Sequence, residues 1–132
     1  MASFPLIAIF LTGLVITIWD FKFHQISNGS ISLLALSLLL FTRGEIFWVS
    51  GCVVAFVSIA LGFFAGLGGG DVKLLLAIGF SGIQSSHIAE FLLCLSLFSL
   101  PISVLYVARK RTLNTQIPLG PAICGALIFT IV

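Results

Sequence analysis

The chain predicts an all-α, polytopic membrane protein, and three observations carry that prediction. Hydrophobic residues make up 60% of the sequence and charged residues only 8%, with a mean hydropathy of +1.29, a balance at odds with a water-soluble fold. The apolar residues come in long runs, and no stretch shows the apolar and polar alternation of a lipid-facing strand. At roughly 20 residues per crossing of a hydrocarbon core about 30 Å thick, 132 residues supply at most about six helices. Residues 1–132 are expected to form a single membrane-embedded domain with no room for a soluble one.

The first helix is expected from Phe4 to Trp19 and ends in the polar stretch Asp20 to Gln25. No Lys or Arg precedes it and no small-residue cleavage site follows it, so it is read as retained rather than as a removable signal. Ser27-Asn28-Gly29-Ser30 then offers a turn and an N-cap for a short second helix, Ile31 to Phe41. Thr42 to Glu45 closes that helix, and a third runs from Ile46 to about Ala65. A fourth starts at Val72 and turns polar at Gln84 to His87; a fifth covers about Ile88 to Val107 and stops at Arg109-Lys110-Arg111. Beyond the loop Thr112 to Gln116, a sixth segment extends from Ile117 to Val132 and opens with Pro118-Leu119-Gly120-Pro121. Cys52, Cys94 and Cys124 lie singly in apolar runs, which speaks for buried, inert thiols rather than a zinc site or a disulfide framework.

Lys and Arg gather on the cytoplasmic side of short membrane loops. Six crossings put Lys22, Lys73, Arg109, Lys110 and Arg111 on one side and Arg43 alone on the other, so the amino terminus is expected outside the cytoplasm. The same arrangement brings Asp20 and Asp71 to the cytoplasmic ends of their helices. Val72 to Ile83 rises only about 18 Å, so a full fourth crossing needs the segment through His87 as well. His24 and His87 are expected to be surface residues on opposite sides.

Two acids in so apolar a chain point to paired-carboxylate chemistry. Two carboxyl groups held close cannot both ionise cheaply, so they share a proton. The ionised partner can then take a proton from water while the protonated one polarises a peptide carbonyl, with no metal or cofactor. Taken alone, each acid has a plainer role: Asp20 as an interfacial acid beside Lys22, Asp71 as a helix cap. Lys73 serves equally as a charge anchor. Gly62, Gly66 and Gly70 recur every four residues, with Ser58 extending the row, and suit close helix packing. Gly68, Gly69 and Gly70 are further expected to give the backbone freedom beside Asp71.

Gly68-Gly69-Gly70-Asp71-Val72-Lys73 resembles the Gly-x-Gly-Asp-x-Lys segment of type IV prepilin peptidases and archaeal preflagellin peptidases. Asp20 with Ile26-Ser27-Asn28 is similar to the first aspartate of that family and its downstream Ile-Pro-Asn, with Ser27 in place of proline. Ile117 to Ala122 is similar to its Pro-x-Gly-Pro segment, so the resemblance covers most of the chain. It implies an aspartic endopeptidase with Asp20 and Asp71 as the catalytic pair and Gly68, Gly70 and Lys73 as the supporting motif. The expected activity removes the short leader from a prepilin-like precursor, of the tight-adherence (Flp) type, at the cytoplasmic face of the inner (plasma) membrane. The expected partners are that precursor and the lipid bilayer, not nucleic acid. The cysteine-paired region of the long, methylating members has no counterpart here, so N-methylation is not expected. The alternative is a small membrane carrier or pilus-assembly subunit that uses the acids as proton or cation sites.

Overall fold

Each apolar run becomes a helix, the conformation that satisfies every backbone N–H and C=O within its own segment where side chains offer no partners. The computed structural model describes residues 3–65, 68–110 and 117–132. They form α1 (Ser3–Phe23), α2 (Asn28–Phe41), α3 (Trp48–Ala65), α4 (Gly69–Ser81), a 3₁₀ turn (Ser85–His87), α5 (Ile88–Lys110) and α6 (Gly120–Ile131), with no strand among the described residues. Hydroxyls inside the helices bond back to their own turn, as Thr12 Oγ1 does to the Ala8 carbonyl at 2.8 Å and Thr130 Oγ1 to that of Ala126, so polar side chains cost little in apolar surroundings.

Several boundaries shift from the expected ones, each for a local reason. Ser27 stands at the N-cap of α2 without a side-chain capping bond. Helix α3 starts at Trp48 rather than Ile46, because the Phe47 N–H donates to the Phe80 carbonyl at 2.9 Å and is committed to a neighbouring helix. Helix α4 begins at Gly69 rather than Val72, which brings Asp71 into its first turn. Helix α5 continues to Lys110 through Pro101, whose missing N–H removes one rung of the helical ladder. Helix α6 starts at Gly120 with Pro121 in its first turn, where a missing N–H costs nothing.

Helix α1 packs on α2 and α6, α2 on α4, α4 on α3, and α6 on α5. The core therefore lies among α1, α2, α4 and α6, filled by Ile9, Ile16, Leu34, Leu38, Leu74, Ile78, Ile123 and Leu127, while α3 and α5 flank it. Two helical spans, Ser3–Phe23 and Ser85–Arg109, are long and apolar enough to cross a membrane. The second has only 6% of its most apolar stretch buried, so it is not the core helix of a water-soluble bundle. Phe63 and Phe64 on α3 are 89% and 93% exposed, and the outer surface is apolar over most of its extent.

The bundle has two chemically different ends. At one, Thr42 and Ser50 of the α2 and α3 ends bond to the carbonyls of Ser81, the last residue of α4, and Ile83 just beyond it, close to Arg43. At the other lie the end of α1, the starts of α2, α4 and α6, and the end of α5, with Lys22, Lys73 and Arg109.

The glycine row expected to pack helices divides differently. Ser58 is fully buried and Gly62 faces Val72 of α4 in ordinary contact, but Gly70 belongs to α4, not α3, and meets Ile26 instead. Gly66 lies outside the described residues. The closest α3–α4 approach occurs at Gly51, where any Cβ would overlap the Phe80 ring, and at Gly79, where one would stand 2.9 Å from Val54 Cβ. Cys124 is buried and Cys94 half-buried, whereas Cys52 is exposed on the outer face of α3, contrary to the expectation of a buried thiol.

Candidate active site at the paired aspartates

Asp20 occupies the last turn of α1 and Asp71 the first turn of α4, and both are buried, 4% and 7% exposed. Fifty-one positions separate them in sequence, yet the two carboxyl groups interact electrostatically in the fold. Helices α2 and α6 make this possible, since α1 packs on both and α4 packs on α2 and touches α6. Cys124 of α6, within electrostatic reach of both acids, lies beside Thr17 and forms part of the apolar floor.

Each acid has a distinct setting. The Gly120 N–H, first in α6, donates to Asp20 Oδ2 across 2.8 Å. A Cβ at position 120 would come within 2.6 Å of that oxygen and 3.1 Å of Asp20 Cβ, so only glycine admits the contact without displacing the acid. Asp71 Oδ1 is buried and has no hydrogen-bond partner among the described residues. An orphaned buried carboxylate oxygen is costly unless a partner such as water or substrate completes it, and such atoms mark sites built for something else to enter.

The segment around Asp71 is held against the turn after α1. Gly70 lies so close to Ile26 that an added Cβ would stand 3.3 Å from the Ile26 Cβ, and Lys73 Nζ donates to Asn28 Oδ1 at 3.4 Å. The motif residues thus meet the Ile26-Ser27-Asn28 stretch directly. Gly68 adopts an ordinary extended conformation before the helix, and Gly44 is the glycine with positive φ among the described residues. Smallness at Gly70, rather than the backbone freedom expected of Gly68 to Gly70, is what the fold uses here.

His24 corrects another expectation. It is half-buried rather than a surface residue, with Nε2 3.0 Å from the Tyr106 hydroxyl of α5 and the rings edge to face at 5.8 Å. His87 is exposed at the opposite end and pairs with Glu90 at 2.9 Å. Sequence reasoning assigned no role in the site to His24 or Tyr106, and gave Asn28 and Gly120 only as parts of a turn and of segments similar to the family's. The sole tyrosine of the chain was a usable signal, because a phenol in an apolar helix needs a partner for its O–H.

Among the described residues no three of His, Cys, Asp and Glu converge as metal ligands would. Two buried carboxyl groups within electrostatic reach of each other, one anchored by a backbone donor and one with an unpartnered oxygen, have the chemistry to divide the roles of acid and base toward a water and a carbonyl. No family model, no curated protein and no solved structure matches the chain.

Proposed function

We propose that this chain is a multi-pass membrane aspartic endopeptidase that removes the short leader from type IV prepilin-like precursors, with Asp20 and Asp71 as its catalytic pair. One observation carries the proposal: two buried acids from α1 and α4 interact in one site, and the second lies in a Gly-x-Gly-Asp-x-Lys segment that resembles that of the prepilin peptidases. Asp71, with its unpartnered oxygen, is the acid open to a water or to the scissile carbonyl. Asp20, fixed by Gly120, is its partner in proton exchange.

A membrane setting accords with the exposed apolar surface and with Lys22, Lys73 and Arg109 gathered at the end that holds the acids. By the charge rule that end faces the cytoplasm and the amino terminus lies outside it. Helices α2, α4 and α6 rise only about 18–21 Å, so their crossings require the adjoining turns or a locally thinned bilayer. The basic leader of a precursor would then meet the acids at the inner (plasma) membrane surface while its apolar helix stays in lipid. The test is co-expression with candidate precursors. Cleavage by the parent chain, lost in both Asp20→Asn and Asp71→Asn while each variant still inserts, is the expected result; cleavage that survives either change refutes the pair.

A further inference from the structure

Among the described residues, two buried side-chain polar atoms lack a hydrogen-bond partner, and they are Asp71 Oδ1 and His24 Nδ1. Both belong to residues that interact electrostatically with Asp20. His24 follows α1 by one residue, its N–H donates to the Asp20 carbonyl at 2.9 Å, and its backbone takes the left-handed conformation at φ 50°. A non-glycine residue there is strained and persists only where surrounding contacts hold it. Arg43 takes the same conformation after α2 at φ 58°, but at His24 the ring is also held, by Tyr106, bonded to Nε2 at 3.0 Å and packed edge-on against it. Helices α1 and α5 share little other packing, so this pair is the link that reaches across from α5 to the acid-bearing end of α1.

We propose that His24 is a positioning residue for Asp20, clamped by Tyr106. The clamp fixes the last turn of α1, so the Asp20 carboxyl stays on the Gly120 N–H, and it holds an ionisable ring beside the acid pair. Nε2 is engaged by the Tyr106 hydroxyl, which can donate or accept, and Nδ1 is the nitrogen left for the site. The inference rests on the reading of Asp20 as half of a catalytic pair, so its test has one arm that needs no substrate.

The ring nitrogens of the full chain, labelled with ¹⁵N at histidine and placed in lipid nanodiscs, are observed by NMR at one fixed pH, with His87 as internal reference. The expected result is that Asp20→Asn and Tyr106→Phe each move the His24 ring-nitrogen signals and leave those of His87 where they were. His24 ring-nitrogen signals identical in parent and Asp20→Asn overturn the proposal. In the cleavage arm, His24→Asn keeps a residue that tolerates the left-handed backbone but removes the ring. It is expected to lower kcat on the order of 10-fold with KM unchanged, as loss of alignment does, and Tyr106→Phe to follow in the same direction. Unchanged kcat in both variants overturns the proposal. If the parent cleaves no precursor, the peptidase reading falls and the NMR arm still decides whether His24 governs Asp20.

Discussion

Gly120 and Asp20, one hundred positions apart, meet as donor and acceptor at 2.8 Å, in a gap that no side chain larger than hydrogen fits. The contact joins the start of α6 to the end of α1 and sets where one carboxyl group points.

Replacing Gly120 tests that contact. In Gly120→Ala the new methyl displaces the Asp20 side chain, which is a terminal group able to swing, so the cost falls on alignment more than on the fold. Cleavage is expected to drop on the order of 10²-fold, while stability in detergent falls by no more than about 3 kcal/mol. Kinetics and denaturant titration of the same preparation separate the two. Equal losses in both would mean that Gly120 serves packing alone.

Gly70 tests the seam between α4 and the turn after α1. A Cβ there would stand 3.3 Å from the Ile26 Cβ, so Ile26 would have to give by a few tenths of an ångström. Gly70→Ala is expected to keep most activity and Gly70→Val to lose it, since the larger group pushes Asp71 away from Asp20. Rescue of Gly70→Val by Ile26→Ala, measured as cleavage rate, would locate the effect at that contact. Failure of Ile26→Ala to restore any activity would place the lesion elsewhere.

Lys73 and Asn28 predict a smaller effect. Their bond is long, 3.4 Å, and exposed, and such contacts are worth about 0–1 kcal/mol. Lys73→Gln is expected to leave thermal stability in detergent within about 0.5 kcal/mol of the parent and to lower cleavage less than 10-fold. A loss as deep as that of Asp71→Asn would instead make the ammonium a participant in the chemistry.

The α3–α4 seam predicts a fold defect with no local effect on the site. Gly51→Ala places a methyl in the Phe80 ring and is expected to destabilise the protein by about 1–3 kcal/mol. The double variant Gly51→Ala with Phe80→Ala should recover part of that loss, because the ring that clashes is gone. Additive losses in a denaturant titration would contradict the interlock.

Helix content was legible because backbone groups in an apolar run leave no other economical choice, and each predicted run became a helix. Asp20 and Asp71 stood out because carboxyl groups are rare in such a chain, and the fold buries both within electrostatic reach of each other. What the sequence hid was three-dimensional. Gly70 reads as part of a four-residue row with Gly62, but the break between α3 and α4 turns it toward Ile26, a change that depends on where one helix stops. His24 reads as a loop residue because nothing local announces Tyr106, 82 positions later. Cys52 reads as buried because hydrophobicity cannot tell an outward face from an inward one when lipid and core are equally apolar. Gly120 carries its role in the space that it leaves empty.

Pro101 gives α5 a mechanical asymmetry. With one hydrogen bond missing, the stretch from there to Lys110 bends at lower cost than the half that begins at Ile88, and Tyr106 rides on this compliant arm, five residues beyond the joint. The ring that bonds His24 is therefore carried beyond a joint in α5: bending there would move Tyr106 relative to His24 without any rung of α1 or α4 being broken.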